Sequence, residues 1–110
     1  MKGKLNYDDI LSYMCSYYGI TINEMIELLK KKENRYMLLL LLKKHDCVNM
    51  NNLRNRHEIG CGKFIRNSIR SAEEMLLFNG FFREKYFNME KYIEKNLLND
   101  KKTLDINNNM

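Results

Sequence analysis

The feature that most constrains this chain is a run of six apolar residues, Met37-Leu38-Leu39-Leu40-Leu41-Leu42, set in a helical pattern. A helix that is apolar on all sides has no face to give to water, so it must sit centrally with neighbours around it. Six residues are far short of the ~20 that a membrane span needs. The run therefore predicts the middle of a buried helix, from about Arg35 to Lys44, in a small helical protein.

The flanking sequence agrees with that picture. Asn6 can cap a first helix with Asp9 in its third position, and Gly19 can end it. Ile10, Leu11, Met14, Tyr17 and Tyr18 form its apolar stripe at three- and four-residue steps. Thr21-Ile22-Asn23-Glu24 is a capping box, opening a second helix that carries Met25, Ile26, Leu28 and Leu29. Asn49 can cap a short fourth helix bearing Met50 and Leu53, and Glu58-Ile59-Gly60-Cys61-Gly62 reads as a tight turn. A fifth helix, about Lys63 to Phe78, shows Ile65, Ile69, Ala72 and Leu76 along one face; Asn79-Gly80 stops it. A sixth, about Phe82 to Leu97, offers Tyr86, Met89, Tyr92 and Ile93 to the core. Proline is absent, which disfavours a turn-rich β-fold. The expected fold is all-α: one domain of five to six helices over residues 7–98, an N-terminal extension at 1–6 and a polar, disordered tail at 99–110. A chain of 110 residues folds as one compact unit with a radius of gyration near ~13 Å.

Charge is unevenly placed. The chain carries +5 in total, yet between Lys30 and Arg70 eleven Lys/Arg stand against three Asp/Glu, a local +8 with −3 elsewhere. A basic centre with acidic flanks is a footprint for a polyanion. Three cysteines leave one over in any pairing, and no apolar signal core follows Met1-Lys2-Gly3-Lys4. Free thiols in a reducing cytoplasm are expected.

Two further groups point to chemistry. The fourth helix, turn and fifth helix, about 49–78, make a helix-turn-helix, whose second helix lies in the major groove with its N-terminal side chains at base edges. Lys63, Arg66, Asn67 and Arg70 fall at i, i+3, i+4 and i+7, hence on one face. Arg66 can offer a fork to guanine and Asn67 can pair with adenine; a merely solvated face has the same pattern. Arg54 and Arg56 can reach phosphates. Gly62 at a helix start leaves room for a phosphate at free backbone N–H groups, although two glycines also simply permit the turn. The second group, His45, Cys47, His57 and Cys61, has zinc-type ligands spaced H-x-C-x9-H-x3-C. That spacing matches no common zinc signature, and the four are read as packing and capping groups instead of a metal site. No cofactor motif, small-molecule site or catalytic assembly is visible: there is no P-loop, no nucleophile elbow, and the adjacent Glu73 and Glu74 diverge on a helix. The chain is expected not to be an enzyme.

The stretch from Tyr7 to Leu77 resembles the C-terminal duplex-binding domain of the replication initiator DnaA, a helical relative of the Trp-repressor class. Tyr17-Tyr18-Gly19-Ile20-Thr21 looks like the family's aromatic-Gly-Ile-Thr turn. Arg35 to Leu41 is similar to its R-x-x-A-x-x-L helix, with Leu38 in place of the small Ala. Leu53 stands at the Ile of its S-L-x-x-I-G stretch, and Ile65 and Arg70 match the Val and later basic residue of its D-H-T-T-V helix. Gly60 and Cys61 occupy its Arg-Asp, and Gly62, Lys63 and Phe64 its His-Thr-Thr. The resemblance implies double-stranded DNA as partner, phosphate contacts from Arg35 with Lys31 and Lys32 on the same edge, and a target other than the initiator's own box. The initiator's nucleotide-hydrolysing region is not in this stretch, so a regulator or replication accessory is expected instead of a whole initiator. The alternative is a protein-interaction module on the same scaffold, with Phe81, Phe82, Tyr86 and Phe87 as a docking patch and a homodimer or other protein as partner.

Overall fold

Short-range capping sets where several of the helices begin. The computed structural model describes residues 5–48 and 62–108; at 62–63 and 99–108 the description is of the backbone. In α1 (Tyr7–Tyr18) the Asp9 N–H donates to Asn6 Oδ1 at 2.8 Å, and the Asn6 N–H donates to Asp9 Oδ2 at 3.0 Å. Gly19 closes α1 in the left-handed region, φ 69° and ψ 40°, where a side chain would be strained. A second reciprocal box, between Thr21 and Glu24, opens α2 (Ile22–Leu28).

The turn into α3 (Lys32–Lys44) is held from the far side. Asn34 Nδ2 donates to the Leu28 carbonyl at 2.8 Å, and Arg35 Nη1 donates to the Leu29 and Lys30 carbonyls at 3.1 and 2.7 Å. Carbonyls left over at the end of α2 thus find donors in the first turn of α3. All six residues from Met37 to Leu42 are buried, as an apolar helix requires. At its end Asp46 takes a positive φ of 58°, and the Cys47 thiol donates to the Leu5 carbonyl at 2.7 Å, tying the entry of the chain to the exit of α3.

After the segment 49–61, α4 spans Gly62–Phe78 and α5 spans Gly80–Asn108. Asn79 alone separates them, and its Oδ1 accepts the Phe82 N–H at 3.0 Å, so the residue that ends one helix caps the next. Ile65, Ile69 and Ala72 are buried with Phe82, Tyr86, Met89 and Ile93. The α3 helix packs against α1, α4 and α5, α4 also packs on α5, and α1 packs on α2 and α5. Glu33 meets Lys85 at 3.2 Å, while Lys44 at the other end of α3 meets Glu90 at 3.2 Å, so α3 and α5 run in the same direction.

The fold is therefore a single all-α globule, with five helices among the described residues. Three expectations need adjustment. The last helix continues to Asn108 instead of stopping near Leu97, because no glycine or proline interrupts it. Its 29 residues give a rod of about 43 Å. This accounts for the 47 Å long axis and for a radius of gyration of 14.7 Å, above the ~13 Å expected. Tyr17 and Tyr18 leave the core stripe of α1; Tyr17 packs edge-on to Tyr18 and to Tyr92, and Ser16 Oγ lies 2.6 Å from Tyr92 Oη. The predicted fourth helix lies outside the described residues.

Candidate nucleic-acid interface

The outer face of α4 is where the structure places the expected groove-facing residues. Burying Ile65, Ile69 and Ala72 turns the opposite side outward, and Arg66, Asn67 and Arg70 are all exposed there. Among the described residues none of the three makes an ion pair or a side-chain hydrogen bond. Glu74 shares the face and Phe64 stands beside it, 54% exposed. Gly62 and Lys63 form the first turn of the helix.

Several other cations are engaged. Lys43 pairs with Glu73 across the α3–α4 contact. Lys44 lies between Glu90 and Glu94, Lys85 pairs with Glu33, and Lys30 with Glu27. Arg83 donates to the Leu76 and Leu77 carbonyls at 3.0 and 2.9 Å, closing the end of α4. Three cations of the basic middle stretch, Lys30, Lys43 and Lys44, are thus paired, and the free guanidinium groups among the described residues are those of α4.

Lys31 and Lys32 are exposed at the start of α3, where Lys32 lies 6.0 Å from the centroid of the Tyr36 ring. Arg35 is half-buried, with Nη1 committed to the carbonyls that end α2. The Lys43–Glu73 pair places the middle of α4 beside the end of α3. Lys32 stands eleven residues back along α3, about 17 Å away. Arg54 and Arg56 lie outside the described residues.

The sequence pattern does not single out Lys91 and Lys95. Both are exposed on α5 and make no ion pair among the described residues. Their i, i+4 spacing puts them on one face, a signal hidden by the acidic residues of the same helix.

Of the zinc-type set, His57 and Cys61 lie outside the described residues. His45 caps the end of α3; its Nε2 is buried without a hydrogen-bond partner among the described residues, and burial pushes its pKa down. Cys15 and Cys47 are unbridged thiols. The described residues contain no group of three or more metal-ligating side chains, and no helix among them is long and apolar enough to cross a membrane.

The docking patch expected on α5 is corrected by burial. Phe82 and Tyr86 are core residues, and the Tyr86 hydroxyl donates to Glu90 Oε2 at 3.1 Å. The exposed apolar side chains cluster instead at the α4–α5 turn: Leu77 is 68%, Phe78 84% and Phe81 82% exposed. The reason is the helix phase. Phe82 and Tyr86, four apart, take the inner face and leave Phe81 outside. Phe87 is exposed on its own further along, edge-on to the Tyr86 ring.

No protein-family model, curated protein or solved structure matches this chain.

Proposed function

We propose that the chain is a non-catalytic, double-stranded DNA-binding domain of the helix-turn-helix kind that presents the outer face of α4 to the major groove. The observation that carries it is the exposure of Arg66, Asn67 and Arg70 on one side of α4, free of acidic partners among the described residues, while Lys43, Lys44 and Lys85 are each paired with a carboxylate. Unpaired guanidinium groups on a helix face have no ion pair to break and are available to phosphates and base edges. Lys31 and Lys32 supply phosphate contacts at the other end of α3, and Arg35 holds the corner that carries them. The resemblance to the initiator's duplex-binding domain supports the same reading, with a different target. Docking to protein draws on another part of the surface, the tip at Leu77, Phe78 and Phe81, and is compatible with it.

Fluorescence anisotropy on a random duplex at several salt concentrations tests the proposal. Neutralising ~4–5 phosphates gives a log–log slope of about −4. A flat salt response, or affinity unchanged by Arg66→Glu with Arg70→Glu, overturns it.

A further inference from the structure

The α4–α5 tip is the most apolar exposed part of the described surface. Leu77, Phe78 and Phe81 lie within five residues of chain, mostly in solvent, and none belongs to the core. Together they expose roughly 450 Å², taking an aromatic side chain as ~200 Å². That is as large as the largest apolar patch of a typical monomer. We propose that this tip is a self-association surface, on which a second copy of the chain packs about a two-fold axis.

Charge selects a second copy as the occupant. From Met75 to Phe82 there is no charged residue, so apposing two tips brings no like charges together at the centre. The rim carries both signs: Glu74 on the α4 side and Arg83, Glu84 and Lys85 on the α5 side. A mixed rim is self-complementary across a two-fold axis. A strongly acidic or basic partner, or an anionic membrane, would call for a rim of one sign, and Glu74, Arg83, Glu84 and Lys85 sum to zero. The area is consistent with this occupant too. Two such patches bury roughly 900 Å², below the roughly 1,200 Å² of stable specific complexes, which suits a weak, transient dimer.

A second argument rests on the DNA-binding reading. Phe78 lies twelve residues beyond Arg66 on α4, about 18 Å along the helix. Two copies joined at their tips therefore hold their Arg66 positions up to about 36 Å apart. Successive major-groove faces of one duplex recur every ~34–36 Å. With the two helices end to end, the dimer reaches half-site spacing.

Sedimentation equilibrium without DNA tests the dimer apart from DNA binding. The wild-type mass is expected to rise from 13.3 kDa towards twice that over tens to hundreds of micromolar. Phe78→Glu with Phe81→Glu is expected to stay monomeric over the same range, with unchanged helicity by circular dichroism. Phe81→Ser provides the same readout should the double variant lose helicity. Arg66→Glu with Arg70→Glu should dimerise normally, so a failure of DNA binding alone leaves the dimer standing. A wild-type monomer throughout, including one that instead floats with phosphatidylglycerol vesicles, overturns the proposal, as does a dimer that survives the tip substitutions.

Discussion

The guanidinium of Arg35 lies 2.7 Å from the carbonyl oxygen of Lys30, and the same nitrogen reaches the Leu29 carbonyl at 3.1 Å. A side chain expected at a phosphate is thus a cap on α2, holding the corner that displays Lys31 and Lys32. Hydrogen bonds from a charged donor contribute about 1.5–3 kcal/mol when well shielded; for a half-buried group about 1–2 kcal/mol is expected. Arg35→Ala should lower unfolding free energy by that amount in urea titrations. Arg35→Lys, which keeps the charge but loses the fork, should recover less than half.

Leu38 is fully buried, at a position where the sequence resemblance would put a small Ala. If the helices of this chain have packed around the larger side chain, Leu38→Ala leaves a cavity that the surroundings fill only partly. The expected loss is about 2–5 kcal/mol, read from denaturation midpoints at constant m-value. A cost under about 1 kcal/mol would mean that the site collapses onto the smaller residue.

His45 links stability to pH. Burial lowers its pKa; Glu94 and Glu90 raise it and Lys44 lowers it, and burial prevails. A histidine whose folded pKa lies below its unfolded value favours the neutral form. Its contribution is complete above the ordinary value of about 6.5 and is lost as pH falls through the window beneath it. Stability should therefore decline on acidification from about pH 7, before carboxylates titrate. His45→Leu should flatten that part of the profile, as followed by thermal melts at a series of pH values.

The helices were legible where local chemistry decides them. Asn6, Thr21 and Gly19 lie at helix ends because their own atoms make the caps, and the Met37–Leu42 run had no arrangement open to it but a central one. What depends on distant partners was not legible. Tyr17 and Tyr92 meet across α1 and α5, which spacing along either helix cannot reveal. Lys43 and Lys44 counted towards a basic centre, yet Glu73, Glu90 and Glu94 neutralise them from other helices. Phe81 and Phe82 are adjacent and equally apolar, and only the phase of α5 sends one outward.

The DNA-binding reading separates two kinds of cation by their effect on specificity. Lys31 and Lys32 touch phosphates in this reading, so Lys31→Ala with Lys32→Ala should weaken all duplexes alike. The salt slope should become shallower by about 0.9 for each phosphate no longer neutralised. Arg66 and Asn67 face base edges, and removing a bidentate pair costs about 1–3 kcal/mol at one base pair. Arg66→Ala should therefore reduce preference among duplexes selected from a random pool, more than it reduces binding to the pool itself. Equal, sequence-blind losses of affinity from both sets of substitutions would make α4 a phosphate-binding helix and leave base reading to other residues.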